Sequence, residues 1–278
     1  MQLRMKVATL GAVVLITACS GGESTPVDTQ AGLNAAINGE HRTASFVERD
    51  SARHPLETLT FFEVEPNMTV IEIAPGGGWY TEILAPYLKD SGQLYAAHFD
   101  PNSEREYYRN ARARFDEKMA SSDVYSNVSV TVFAPGTEFE IAPAGSADRV
   151  LSFRNMHNWY MQGDEEALNA AFSTFYDALK PGGMLGIVDH RLPEHRDDSE
   201  MASSGYMKES WAIAFAEAAG FELVAKSEVN ANPLDSANYE GGVWTLPPTL
   251  REGDTNRDLY LGIGESDRFT LKFRKPEE

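Results

Sequence analysis

The sequence predicts an α/β protein built on a doubly wound sheet of seven strands, mostly parallel, with an antiparallel C-terminal hairpin. Strand and helix patterns alternate regularly from Thr69 onwards, which is typical of a parallel sheet covered by helices. An apolar run, Thr69–Ile73, interrupted only by Glu72, leads into Gly76-Gly77-Gly78 and then into a helical pattern. That order predicts strand, tight turn and helix. No long helical pattern separates the last two strands, so we expect them to pair antiparallel around an insertion at 230–267.

The first 19 residues are typical of an export signal. Arg4 and Lys6 form a short basic start, and residues 7–16 are apolar but too few to span a bilayer. Residues 16–19 resemble a bacterial lipobox, in which cleavage precedes a cysteine that is then lipidated, and Cys19 is the single cysteine of the chain. By the same resemblance, Ser20 favours the outer membrane. We therefore expect an exported, periplasm-facing lipoprotein with a lipid anchor at Cys19, in the outer membrane of a Gram-negative bacterium.

A tether and short helices are predicted between the leader and the sheet. Residues 20–30 are rich in Gly, Ser, Thr and Pro, which is typical of a flexible linker. Residues 31–68 have helical character, and Pro55 is expected to open a helix at 56–62. The chain from 31 to 278 then forms a single domain, with its α/β core at 69–278.

The core elements follow from the apolar periodicity and from the positions of glycine and proline. Lys180-Pro181-Gly182-Gly183 is a stop signal before the fifth strand, and that strand is apolar throughout, which favours a central place in the sheet. Strands are predicted at 69–73, 93–98, 128–133, 149–153, 184–188, 221–229 and 268–274, and helices at 80–88, 104–119, 165–179 and 208–219.

The charge of the chain argues against one class of partner. Lys and Arg number 24 and Asp and Glu number 42, so the formal net charge is −18. A strongly acidic surface repels phosphate backbones, and nucleic acid is therefore not an expected partner. The sequence predicts no protein partner.

The glycine loop determines which nucleotide-like ligand the fold can take. The dinucleotide pattern Gly-x-Gly-x-x-Gly needs a third glycine where the helix packs close to the strand, and Trp79 would stand there. The phosphate-binding pattern Gly-x-x-x-x-Gly-Lys-Ser/Thr is absent from the loop. What remains is an acid followed by Ala-x-Gly-x-Gly, formed by Glu72, Ala74, Gly76 and Gly78.

This pattern resembles the first motif of the class I S-adenosylmethionine-dependent methyltransferases, which have a Rossmann-like fold. Ala-Leu-Lys-Pro-Gly-Gly at 178–183 and Ala-Gly-Phe at 219–221 extend the resemblance, and the segments 72–81 and 153–159 resemble a subgroup of predicted methyltransferases. The resemblance implies S-adenosylmethionine as the cofactor. It also implies that Ala74 and the backbone of Gly76, Gly77 and Gly78 approach its methionine portion, and that Glu72 accepts a hydrogen bond from its ammonium. The alternative for Glu72 is a carboxylate that caps nearby backbone amides.

Two positions depart from the family pattern. Ala74 replaces the first glycine, which is tolerable if its φ is negative. His98 stands at the end of the second strand, where the family usually has an acid that bridges the ribose hydroxyls, and Asp100 follows two residues later. Either His98 or Asp100 is expected to bind the ribose. The alternative for His98 is a strand-end histidine that faces solvent.

Polar and aromatic residues follow the fourth and fifth strands, at the edge of the sheet that carries the glycine loop. His157 and His190 are candidate general bases, because histidine titrates near neutral pH. Asn155 and Asn158 could orient a methyl acceptor, and Asp189 could orient a histidine. Trp159 and Tyr160 could stack on a ring. Alternatively, these residues close the edge of the sheet through bonds to the backbone. Neither histidine has a partner at metal-ligand spacing, so no metal is predicted.

The sequence favours a methyltransferase that acts on a small-molecule acceptor by in-line methyl transfer. The alternative is an exported, non-catalytic binding lipoprotein that retains the fold, because the cofactor is made in the cytoplasm and the leader exports the chain. An oxidoreductase is disfavoured by Trp79. The apolar segment 241–248 could be a lid or could pack on the sheet, and packing is slightly favoured.

Overall fold

The structure is a computed structural model that describes residues 26–137 and 139–277. The leader and Cys19 lie outside the described residues, so the lipoprotein assignment stays a prediction. The first helix begins at Pro26, inside the segment expected to be a flexible tether. Among the helices that the structure describes, none is both long and apolar enough to cross a lipid bilayer.

The order of elements is four short N-terminal helices followed by alternating strands and helices. The helices are α1 (Pro26–Ile37), α2 (Ala44–Val47), α3 (Asp50–Arg53), α4 (Pro55–Phe61), α5 (Thr81–Leu88), α6 (Glu106–Ala120), α7 (Met156–Ala178), α8 (Met201–Ser204), α9 (Glu209–Ala218) and α10 (Arg257–Ile263). The strands are β1 (Thr69–Ile73), β2 (Gln93–His98), β3 (Val128–Val132), β4 (Ala147–Phe153), β5 (Leu179–His190), β6 (Glu222–Ser227) and β7 (Arg268–Arg274).

The seven strands form one sheet in the order β3-β2-β1-β4-β5-β7-β6. The pairs from β3 to β5 are parallel, whereas β7 runs antiparallel to both β5 and β6. The predicted fold class is therefore confirmed, including the antiparallel C-terminal pair. The strand order reverses between β1 and β4, and in sheets of this kind ligands bind beyond the carboxyl ends of the strands at that reversal.

Two apolar clusters cover the two faces of the sheet, because successive side chains of a strand point to opposite faces. On β1, Ile71 and Ile73 belong to the cluster that contains α7 and α9, whereas Val70 belongs to the cluster that contains α1, α4 and α5. Both faces of the central strands are thus buried, which explains why these strands are almost continuously apolar in sequence.

The element after β4 differs from the expectation. The helix predicted at 165–179 starts earlier: α7 begins at Met156 and continues to Ala178, with a break at Gly163 and Asp164, where φ and ψ leave helical values. Strand β5 is also longer than predicted and starts at Leu179, so that the glycine-containing stop signal lies within it. His157 therefore stands on the first turn of a helix, and His190 ends a strand.

Candidate active site

A cavity of ≈ 440 Å³ lies at the carboxyl ends of β1, β4 and β5, next to the reversal of strand order. One side is the glycine loop from Ala74 to Gly77, and another is the run from Phe153 to Asn155. The insertion between β6 and β7 contributes Val243 and Trp244. Val243 is also part of the buried core and Trp244 packs against it, which agrees with the slightly favoured alternative that segment 241–248 packs on the sheet.

A second cavity, of ≈ 510 Å³, adjoins the first along the ends of β1 and β2. Ala74, Tyr107, Asn155 and Asn158 line both cavities, and Asp100 lines the second. The two cavities therefore adjoin each other at the loop that follows β1, and we call them together the groove. One elongated ligand could therefore occupy both spaces.

The loop after β1 adopts backbone conformations that favour glycine. Gly76 has φ 60° and Gly78 has φ 86°. Ala74 also has a positive φ, 46°, so the expectation of a negative φ at this position is wrong. The amide of Ala74 donates to the carbonyl of Ala97 (2.8 Å), which extends the β1–β2 pairing by one residue. The chain turns at this residue. The substitution of the first glycine is therefore strained rather than mild.

Glu72 lies at the floor of the first cavity and is 2% exposed. Its carboxylate accepts a 2.6 Å hydrogen bond from the hydroxyl of Thr81, the first residue of α5. Burial raises the pKa of Glu72 to about 7, against the opposing effect of Thr81 and Lys118. Near neutral pH this acid is therefore poised between its two protonation states, and a cationic group in the cavity would ionise it.

His98 lies beneath the glycine loop and lines neither cavity. Its Nδ1 accepts from the amide of Phe99 (2.7 Å), so Nε2 carries the proton and donates to the carbonyl of Gly76 (3.1 Å). His98 is 1% exposed, and burial lowers its pKa to about 4. The expectation of a solvent-facing histidine is wrong. No ring nitrogen of His98 is left for the ribose, so its predicted place among the cofactor ligands is not supported by its position.

Asp100 is the acid at the end of β2 that faces a cavity. It is partly exposed, and its Oδ1 accepts from the amide of Asn102 (2.8 Å), which fixes the turn that follows the strand. Of the two candidates for binding the ribose, Asp100 therefore has the expected carboxylate and faces a cavity.

Asn155 bridges the ends of β1 and β4. Its side-chain amide donates to the carbonyls of Ile73 (3.0 Å) and Phe153 (3.2 Å). This is the expected alternative, in which the residue closes the edge of the sheet by bonding the backbone. Because Asn155 lines both cavities, it also fixes the boundary between them.

Of the two neighbouring aromatic residues, Trp159 faces the groove and Tyr160 does not. Trp159 lines the second cavity and packs edge-on against Phe133, with 5.3 Å between ring centroids. Tyr160 packs against Trp211 at 5.6 Å and is not part of either cavity wall. Of the two predicted stacking residues, Trp159 is the one in position to contact a ligand.

His157 and Asp189 form a hydrogen-bonded pair at the first cavity. Nδ1 of His157 lies 2.8 Å from Oδ1 of Asp189, and the amide of His157 donates to Oδ2 (3.1 Å). Asp189 is fully buried, and His157 is 4% exposed and lines the cavity. Since a carboxylate oxygen accepts the hydrogen bond from Nδ1, Nε2 is the ring nitrogen left to accept a proton. The predicted role of Asp189 as an orienting group fits this geometry.

His190 is a poor proton acceptor. Its Nδ1 lies 2.5 Å from the hydroxyl of Ser266, and its ring centroid is 5.0 Å from that of His157. Burial lowers the pKa of His190 well below its ordinary value, and the charges of His157 and nearby arginines lower it further. The imidazole of His190 is therefore neutral near pH 7 and binds a proton poorly.

The two histidines and Asp189 come closer together than their sequence spacing suggested. Their possible ligand atoms lie within 4.8 Å of one another, the one such group in the described part of the chain. However, the oxygens of Asp189 already accept from the amides of His157 and His190, and Arg154 faces His190. The positive charge of Arg154 repels a cation, and the oxygens of Asp189 are already engaged in hydrogen bonds. The absence of a metal therefore stays our prediction.

Three arginines from distant parts of the sequence line the first cavity, a fourth packs with them against the same acid, and no sequence pattern indicated them. We call these four the arginine wall. Arg49 and Arg53 come from the N-terminal helices, Arg154 follows β4, and Arg268 opens β7 behind the cavity surface. All four lie within 4.0 Å of the carboxylate of Glu265.

No family model matches the sequence, and no curated protein matches it. Three solved structures are similar over most of their length. A SAM-dependent methyltransferase of Aquifex aeolicus is 15% identical with a TM-score of 0.54, covering 88% of this chain and 98% of its own. A proposed sarcosine dimethylglycine methyltransferase of Galdieria sulphuraria is 13% identical with a TM-score of 0.54, covering 90% and 98%. The 4+2 cyclase SpnF is 13% identical with a TM-score of 0.58, covering 90% and 94%.

The chain has the class I methyltransferase fold. At 13–15% identity the similarity concerns the fold alone, and one of the three structures is named a cyclase. Within this fold, the groove offers bare backbone at Gly76 and Gly77, a buried acid at one end and Asp100 at the other. It also offers one oriented histidine, His157, whose Nε2 can take a proton.

Proposed function

We propose that the chain is an S-adenosylmethionine-dependent methyltransferase that acts on a small-molecule acceptor. The observation that carries the proposal is the pair of adjoining cavities at the glycine loop, with Glu72 in one cavity and Asp100 in the other. An elongated molecule with an ammonium at one end and ribose hydroxyls further along matches this order of acceptors. The fold supports the same proposal.

The residues of the groove fit the cofactor by the chemistry of their donors and acceptors. Gly76 has φ 60° and no atom within 4 Å of a Cβ built on it, so its backbone is open to close approach. Glu72 would accept from the ammonium, and Asp100 rather than His98 would accept from the ribose hydroxyls, because both nitrogens of His98 are engaged. The bound cofactor supplies a sulfonium methyl group, an electrophile that needs no metal.

The acceptor has to be aligned with the methyl group and relieved of a proton. A lone pair of the acceptor forms the bond to the methyl carbon while the carbon–sulfur bond breaks, and its electron pair stays on sulfur. The proton of an acceptor O–H or N–H passes to Nε2 of His157, whose imidazolium is stabilised by Asp189. His190 is disfavoured for this role, because its pKa is lowered well below the ordinary value.

Binding of S-adenosylmethionine and S-adenosylhomocysteine, measured by calorimetry on the purified protein, tests the proposal. We expect both to bind, and Gly76→Val to abolish binding because its side chain fills the groove. Gly145→Val is the matched control: Gly145 has φ 63° and equally open surroundings but lines neither cavity, so its valine carries the same backbone strain without blocking the groove. No heat with either compound at millimolar concentration overturns the proposal.

The alternative is an exported binding lipoprotein that keeps the nucleoside groove without turnover. The predicted leader favours it, since the cofactor is made in the cytoplasm. His157→Gln separates the two. In a methyltransferase it lowers kcat by about 10²- to 10⁴-fold and leaves S-adenosylhomocysteine affinity unchanged. Binding without transfer to a panel of phenols, amines and carboxylic acids supports the binding protein instead.

A further inference from the structure

The arginine wall concentrates positive charge beside the candidate base. Glu265 lies 2.6 Å from Arg49, 3.4 Å from Arg53, 3.3 Å from Arg268 and 4.0 Å from Arg154. One carboxylate thus serves four guanidiniums. Arg53 and Arg268 are 2% and 3% exposed, so water does little to solvate them.

The protonation behaviour of the cluster shows that its charge is not balanced. Burial alone would raise the pKa of Glu265, but the surrounding arginines outweigh it and lower that pKa to about 2. Burial and neighbouring positive charges lower the pKa of Arg53 well below its ordinary value and that of Arg154 to about 10. A buried charge without a partner is costly, and a chain with a net charge of −18 has acids to spare for pairing. The imbalance is therefore local to this site.

The wall also has hydrogen-bond donors left over. Among the described residues, Nη1 of Arg53 and Nη2 of Arg49 have no hydrogen-bond partner. Arg154 lines the cavity with its side chain 24% exposed, and the acid nearest to it lies 4.0 Å away. Its backbone has φ 61°, a strained conformation for arginine that turns the chain at the cavity edge.

The position of the wall points to the acceptor. Ser266, the neighbour of Glu265, hydrogen-bonds His190, whose ring lies 5.0 Å from that of His157. Arg154 is three residues from His157 and lines the same cavity. The surplus positive charge therefore lies in the same cavity as the proton acceptor of the proposed reaction.

Resting on the proposed function, we propose that the arginine wall binds an oxyanion, a carboxylate or a phosphate, carried by the methyl acceptor. Guanidinium groups bind such anions through paired, charge-assisted hydrogen bonds. The anion would supply the missing negative charge and accept from the guanidinium of Arg154, which is exposed to the cavity. It acts as a handle that positions the acceptor, and the reacting hydroxyl or amine is a different group of the same molecule.

Calorimetric titration with benzoate, phenyl phosphate and the neutral benzamide tests this proposal, with and without S-adenosylhomocysteine. We expect at least one of the two anions to bind more tightly than benzamide. Arg154→Gln should weaken anion binding by about ten- to a hundredfold while S-adenosylhomocysteine affinity changes less than twofold. Arg274→Gln, an exposed arginine at the far end of β7, is the matched control and should change neither. Arg49→Gln is the second variant if Arg154→Gln is poorly folded.

Two results overturn the inference. Equal binding of benzamide and both anions, or binding of none, means that the wall only holds the N-terminal helices in place. An equal loss of S-adenosylhomocysteine affinity in Arg154→Gln means that the wall binds the cofactor's own carboxylate. Because the anions are titrated without cofactor as well, a failure of the methyltransferase proposal alone leaves this measurement interpretable.

Discussion

Ala74 holds a backbone conformation that costs an L-residue free energy. At φ 46° its Cβ crowds the neighbouring carbonyl, a penalty of about 1–2 kcal/mol. Ala74→Gly removes that strain and adds about 0.4–1 kcal/mol of conformational entropy to the unfolded chain. We therefore expect the variant to be more stable by roughly 0.5–1 kcal/mol in urea unfolding.

A matched substitution checks this interpretation. Ala96 is buried on β2 without a positive φ, so Ala96→Gly should lower the free energy of unfolding. If Ala74→Gly lowers the free energy of unfolding as much as Ala96→Gly does, the backbone of Ala74 is not strained.

Glu72 makes stability depend on pH. Its pKa is raised from 4.5 to about 7, so the folded protein keeps a proton that the unfolded chain releases. The contribution is fully present below pH 4.5 and is lost as pH rises through 7, a change on the order of 3 kcal/mol. The unfolding free energy of the native protein relative to Glu72→Gln should therefore fall between pH 4.5 and 7.5 and level off above it.

The partner of Glu72 provides the control. Thr81→Val removes the hydroxyl that stabilises the ionised form, so the loss should extend to higher pH. If the difference in unfolding free energy between the native protein and Glu72→Gln stays constant with pH, the pKa of Glu72 is not raised in the folded protein.

The sequence was informative about residues near one another in the chain and silent about those brought together by packing. Glu72 and Gly76 line the first cavity as expected, because the motif is local and its spacing follows from a strand–turn–helix, whereas Gly78 lines neither cavity. The arginine wall was missed because Arg53 and Arg268 meet only when the N-terminal helices dock on β7. His98 was placed correctly at the strand end, but its burial under the loop depends on Phe115 of α6.

At the scale of elements, the N-terminal helices are fixed to the sheet by a close contact at Gly186 of β5. A Cβ at this glycine would lie 2.8 Å from the ring of Phe62, which follows α4, and 2.9 Å from Leu151. Both neighbours are fully or almost fully buried and cannot move freely. Gly186→Ala should therefore lower the unfolding free energy by about 1–3 kcal/mol, measured by urea denaturation.

Two comparison variants test whether the loss of stability in Gly186→Ala comes from the contact with Phe62. Gly262→Ala lies on α10 with no atom within 4 Å of its Cβ, and should be neutral or stabilising because alanine favours helix. Combining Gly186→Ala with Phe62→Leu should cost less than the sum of the two, since the smaller side chain relieves the clash. Strict additivity contradicts the proposed contact.

The elements were predictable where periodicity extended over a whole strand or helix. β1, β2 and β7 have the predicted bounds. α7 was not predicted from its start because Gly163 and Asp164 interrupt the pattern between two helical segments. The register of the interruption depends on how Met156 and Trp159 pack into the core.

At the scale of the whole molecule, an acidic chain surrounds a basic cavity. The net charge of −18 repels anions at long range, whereas the arginine wall attracts them within the cavity. Salt screens the distant charges more than the buried ones. A small anionic ligand is therefore compatible with this protein, and a polyanion is not.

The predicted leader places the protein at a membrane through the predicted lipid anchor at Cys19. If Cys19 is lipidated, the native protein partitions with membranes, because a diacylated anchor holds a protein far more firmly than a single chain. We expect Cys19→Ser to release the protein from the membrane fraction and to abolish incorporation of labelled palmitate in cells. The control is Ser20→Ala, which leaves the cysteine in place and should stay in membranes. Native protein that is soluble and carries an unmodified Cys19 contradicts the anchor.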